Sequence, residues 1–84
     1  MTEEQKKKII EAWNSAQSRN RTAQKRLHTL EKSGVDTYAA EIQLKNILCT
    51  GSELIGMQAI LSALGIKVET DTLGYALSVK EAHP

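Results

Sequence analysis

Apolar positions recur along the first third of the chain at the spacing of a single helix face. Ile9, Trp13, Ala16, Asn20, Ala23, Leu27 and Leu30 stand four, three, four, three, four and three residues apart, a repeat of about 3.5 residues that predicts a helix with one buried seam. Thr2 followed by Gln5 has the form of a capping box, and neither Gly nor Pro occurs before Gly34. A helix is therefore expected over residues 3–32. At about 1.5 Å per residue it is roughly 45 Å long, more than the width of a compact globule of this length, so it must lie along something.

Ser33-Gly34-Val35 supplies the stop and Asp36 an N-cap, which predicts a tight turn into a second helix over residues 37–64 with Gly65 as its C-cap. Ala40, Leu44, Ile47, Gly51, Leu54, Gln58 and Leu61 repeat the seam spacing, so the two stripes are expected to mesh as an antiparallel pair. Folding about Gly34 then sets Leu30 near Ala40, Leu27 near Leu44, Asn20 near Gly51, and Trp13 near Gln58, with the indole N–H in reach of the Gln58 amide. Thr50-Gly51-Ser52-Glu53 also reads as a capping box at which the second helix would kink or restart. The continuous helix is the favoured reading.

After Gly65 the period changes to two. Ile66 and Val68 alternate with polar neighbours, and Leu73, Tyr75, Leu77 and Val79 do so beyond a turn near Thr70-Asp71-Thr72, which predicts a β-hairpin over 66–80 and a frayed tail over 81–84. The chain reads as a single domain over residues 1–84. Its fold class is mainly α, a long antiparallel helical hairpin followed by a two-stranded β-hairpin.

Helix two carries more apolar residues than one seam uses. Leu48 and Ile55 lie on one flank, Met57, Ile60 and Leu64 on the other, and the β-hairpin is expected to cover one flank only. The other is an oligomer or partner interface, most simply a homodimer forming a four-helix bundle. Trp13, Asn20 and Gln58 form a polar seam that could frame a small-molecule pocket. Asn20 either selects register and oligomer state or bonds a backbone carbonyl near Gly51.

Composition supports the need for a partner. An 84-residue chain buries little, and one cysteine and two histidines (Cys49, His28, His83) form neither an intrachain disulfide nor a closed zinc site. No apolar run reaches the roughly 18 residues of a membrane span, and the N-terminus lacks a signal-peptide stretch, so the expected location is cytoplasmic, with no membrane association. The net charge of +1 conceals an asymmetry: residues 1–32 carry eight Lys/Arg against four Asp/Glu, and residues 33–84 carry three against six. Arg21, Lys25, His28 and Lys32 follow one another on one helix face, with Arg19 and Arg26 beside them. Such a strip tracks phosphates or meets an acidic partner, or is simply a solvated face.

No catalytic, metal or cofactor motif is present. Neither histidine is placed as a base, Cys49 reads as a small core or interface residue, and no Gly-rich phosphate loop occurs. The expectation is a non-enzymatic protein that regulates or inhibits another protein by occupying its surface, including the nucleic-acid channel of a larger enzyme approached through the acidic second half. The alternative is a dimeric RNA- or DNA-binding regulator using the basic strip.

Overall fold

In a computed structural model that describes residues 1–34 and 37–81, α1 (Glu3–Ser33) and α2 (Thr37–Ala63) are followed by β1 (Ile66–Thr70) and β2 (Ala76–Glu81). The molecule is a rod of 53 × 19 × 19 Å. Its radius of gyration, 15.5 Å, exceeds the roughly 12 Å of a compact chain of this length.

The helix ends follow their local chemistry. Thr2 accepts a hydrogen bond from the Gln5 N–H, and the Gln5 side chain accepts one from the Thr2 N–H, completing the capping box. Gly34 closes α1 in the left-handed conformation, φ 71°, that a side chain would disfavour. The expected Asp36 cap and the tail beyond Glu81, His83 included, lie outside the described residues. Thr50 does not restart α2. Its hydroxyl donates back to the Asn46 carbonyl at 2.7 Å, and the helix runs through.

The α1 stripe turns inward as its spacing predicts: Trp13, Ala16, Asn20 and Ala23 are buried and Ile9, Leu27 and Leu30 half-buried. The α2 stripe is rotated by one position from the expected one. Ile47, Leu54 and Leu61 face α1, but Leu44 and Gln58 are exposed, and Gln43, Thr50 and Met57 take the intervening inward places. The reason is polar matching. Asn20 Nδ2 donates to the Ile47 carbonyl at 3.0 Å and to Thr50 Oγ1 at 2.9 Å, while Asn20 Oδ1 accepts from Gln24. A buried amide is satisfied only with Thr50 turned inward, an arrangement that Gly51 offers no side chain to provide.

The strands pair antiparallel, Val68 opposite Val79, with a bulge after Glu69 that leaves Leu77 out of register. Residues 71–75 form the connection. Asp71 Oδ1 accepts from the N–H groups of Leu73 and Tyr75, and the Asp71 N–H donates to the Tyr75 carbonyl. This closure absorbs Leu73 and Tyr75 into the turn, where Leu73 is exposed, and β2 buries Ala76 and Val79 and leaves Leu77 exposed, contrary to simple alternation.

On the solvent side of the hairpin, Lys80 and Ser78 donate to Glu69, Lys80 at 2.9 Å. These hydrogen bonds, the lysine's first, hold the Glu69 carboxyl below its usual value. A lowered folded-state pKa means the interaction supports the hairpin above the unfolded carboxylate's pKa and is lost as pH falls through the folded one. In a side-chain NMR titration, Lys80→Ala is expected to return Glu69 towards the ordinary range; an unchanged midpoint would refute the assignment.

Candidate binding surface

The helical pair has two unlike faces, and the β-hairpin lies on one of them. Three consecutive contacts from α1 fix it there. Trp13 Nε1 donates to the Gly74 carbonyl at 2.9 Å, Gln17 Nε2 to the Leu73 carbonyl at 2.7 Å, and Asn14 pairs with both backbone groups of Ala76, accepting its N–H at 2.6 Å and donating to its carbonyl at 3.3 Å. Asn14 thereby acts as a surrogate strand neighbour for the edge of β2. The expected bond from the Trp13 indole to Gln58 is not made. Trp13 and Gln58 instead border a small cleft with Leu61, Ser62, Ile66 and Val68. Asn20 is absent from it, so Trp13, Asn20 and Gln58 do not converge on one pocket.

The hairpin covers neither apolar flank of α2 fully. It lies beside Gln58 and Ser62, and the residues seven and fourteen positions earlier on that side, Ile55 and Leu48 below Ser62, Leu44 below Gln58, extend beyond it. Leu48 and Ile55 are 69% and 70% exposed. Ile60 and Leu64 on the other flank are exposed as well, whereas Met57 is half-buried against α1.

The face away from the hairpin carries a series of clefts along the α1–α2 seam, the third continuing the second past Arg26 and Gln43 to Leu30 and Ala39. The first, about 270 Å³, is lined by Lys8, Ile9, Ala12, Met57, Ile60 and Leu61 and is almost wholly apolar. The second, about 410 Å³, is bordered by Arg19, Thr22, Arg26, Gln43, Asn46 and Cys49, among others. Ala12, Arg19 and Arg26 are seven residues apart, as are Ile60, Glu53 and Asn46, so the clefts succeed one another on one face. Between them Arg19 bridges to Glu53 at 3.0 Å. Gln43 Oε1 is buried without a partner among the described residues. Cys49 is exposed at the second cleft and is not a core residue.

The basic residues run from one face to the other. Arg21, Lys25, His28 and Lys32 continue the side of α1 that Asn14 presents to the hairpin, since Asn14, Arg21 and His28 are seven apart. Among the described residues none of these four forms an ion pair. At about 100° per residue Arg19 and Arg26 come round to the seam clefts, and Lys25 borders one of these clefts beside Arg26.

Among the described residues no group of three or more His, Cys, Asp or Glu is gathered as metal ligands, and no helix is long and apolar enough to cross a membrane. The fold defines a mainly α protein, a helical hairpin clamped at one end by a β-hairpin. No family model, curated protein or solved structure matches this chain.

Proposed function

We propose that this chain is a non-enzymatic binding protein that works as a homodimer and regulates another protein by occupying its surface. The observation that carries the reading is the graded seam face, an apolar cleft followed by a more polar one with Arg26 at its edge. Such a face suits an amphipathic helical segment with apolar anchors against Ile9, Met57 and Ile60 and acidic residues towards Arg26. Its first cleft takes up Met57 and Ile60 of the apolar flank; its second supplies the charge of Arg26. A photo-cross-linking residue at Ile60, introduced in cells of the source organism, is the test. One protein species should be captured, its yield falling on Met57→Asp and on Arg26→Glu. Equal capture by all three chains would exclude the seam face as the docking site, and no capture alongside turnover of a substrate would exclude a binding role.

A second reading is favoured by one specific observation, the absence of acidic partners among the described residues for Arg21, Lys25, His28 and Lys32. Two copies of that strip in a dimer would follow an RNA or DNA backbone. Each phosphate contact contributes about −0.9 to the slope of log affinity against log salt on duplex DNA. Arg21→Ala with Lys25→Ala should therefore flatten the slope by roughly 1.8 per strip engaged in gel-shift titrations, and an unaltered slope would dismiss the strip.

A further inference from the structure

We infer that the chain forms a two-fold dimer in which the α2 helices cross antiparallel about Gly51 and Ser52, a second copy of this chain covering the Leu44–Leu48–Ile55 flank. The spacing of that flank is the first argument. Leu44, Leu48 and Gly51 are separated by four and three residues, and Ser52, Ile55 and Ala59 by three and four. Read from either end the order is the same. An antiparallel two-fold contact demands this symmetry, because each residue meets its mirror position: Leu48 meets the partner's Ile55, and Leu44 meets the partner's Ala59. At about 100° per residue the six lie within an arc of roughly 100°, wide enough for one helix to pack along it, and none is charged.

The centre of the stripe supplies the second argument. Glycine inside a helix costs about 1 kcal/mol relative to alanine, yet nothing among the described residues requires it at residue 51. A Cβ there would have as its only neighbour Asn20 Nδ2, at an ordinary 3.9 Å. Small residues at 51 and 52 do serve a close crossing of two helices. Area is the third argument. The chain exposes 5955 Å², against about 5,000 Å² for a compact monomer of 9.3 kDa. The excess, roughly 1,000 Å², matches the approximately 800 Å² that each partner contributes to a standard interface. The crossing uses the hairpin side of α2, so the seam clefts opposite stay open.

This inference deepens the dimeric half of the proposed function and is independent of the docked partner, since a monomer that still captured a protein through Ile60 would separate the two. Light scattering at tens of micromolar should give twice the 9.3 kDa chain mass. Leu48→Glu should restore the single-chain mass with an unchanged helical circular dichroism spectrum, because Leu48 has few contacts within the chain. In a Cys49→Ser background, Ser52→Cys should cross-link on air oxidation. Ala59→Cys should not, as its two copies would stand roughly 22 Å apart along the helices. A wild-type monomer, a dimer indifferent to Leu48→Glu, or cross-linking through Ala59→Cys as readily as Ser52→Cys would each overturn the proposal.

Discussion

Trp13→Ala should destabilise the fold by about 3–5 kcal/mol, the usual cost of truncating a buried aromatic. For 84 residues total stability is about 4–13 kcal/mol, so the variant should lose from roughly a quarter to all of the parent's stability. The magnitude follows from position. Trp13 is only 8% exposed, borders Leu61 of α2 and both Ile66 and Val68 of β1, and donates to Gly74 between the strands. It ties α1 to the turn between the strands at the cleft shared with α2 and β1. A two-stranded hairpin is marginal alone, and with this side chain gone Asn14, Gln17, the packing of β1 on α2 and the pairing of the N-terminus with Glu81 must hold it. Denaturant unfolding followed by far-ultraviolet circular dichroism measures the loss, and hydrogen exchange over residues 66–81 locates it. Trp13→Phe separates the two contributions: most of the buried area stays, while the Gly74 carbonyl loses its donor at a cost of about 1–3 kcal/mol. A loss below about 1 kcal/mol for the alanine variant would show that the hairpin is held by other contacts.

Why α1 was legible in the sequence and α2 was not has a physical explanation. The α1 stripe has a single solution, since the residues outside it are nearly all polar, and all seven seam positions face inward. Helix α2 is apolar on several sides. Leu44, Leu48, Ile55, Ile60 and Leu64 offer competing stripes, and hydrophobicity alone does not choose among them. The choice is made by Asn20, whose amide needs Thr50, so the stripe turns by one residue and Met57 goes in where Gln58 was expected. In β2 the apparent alternation from Leu73 misleads because the Asp71 side chain closes a turn around Leu73 and Tyr75.

The surface residues divide similarly. The four-member basic row was visible in its spacing, but Arg19 and Arg26 come round to the seam clefts, as rotation by about 100° per residue requires. Asn14 and Gln17 look like ordinary polar helix positions until the hairpin is placed against them. The nearest signal was their adjacency to Trp13 on the flank of the seam, where a side-chain amide has backbone to bond if a strand edge lies there. Both flanks of α2 were identifiable as excess apolar surface. Which side the hairpin occupies was not, because that depends on the three contacts to Gly74, Leu73 and Ala76.

Asn20→Asp should be as damaging as the loss of Trp13, though it alters hardly any volume. Its Nδ2 faces the Ile47 carbonyl at 3.0 Å and the Thr50 hydroxyl at 2.9 Å, and that hydroxyl already donates to the Asn46 carbonyl. A carboxylate oxygen in its place would meet an acceptor and a committed donor, with no cation paired to it. An uncompensated buried charge of this kind costs about 3–5 kcal/mol. The sign of the pH dependence follows. Burial against acceptors raises the folded-state pKa of the new Asp above its unfolded value, so the native state holds the proton more tightly and the penalty grows as pH rises through the interval between the two. Below the unfolded value, about 3.9, the neutral acid has an O–H to donate to Ile47 and most of the penalty disappears. The gap between variant and parent, both unfolded in denaturant at matched pH, should therefore be several kcal/mol at pH 7 and shrink markedly near pH 3. A gap independent of pH would mean that the amide position opens to water. Asn20→Leu supplies the contrast, because it removes the amide without burying a charge and leaves Thr50 bonded to Asn46. It should cost far less stability than Asn20→Asp at pH 7, while releasing α2 from the buried polar constraint that selects which of its apolar stripes faces α1.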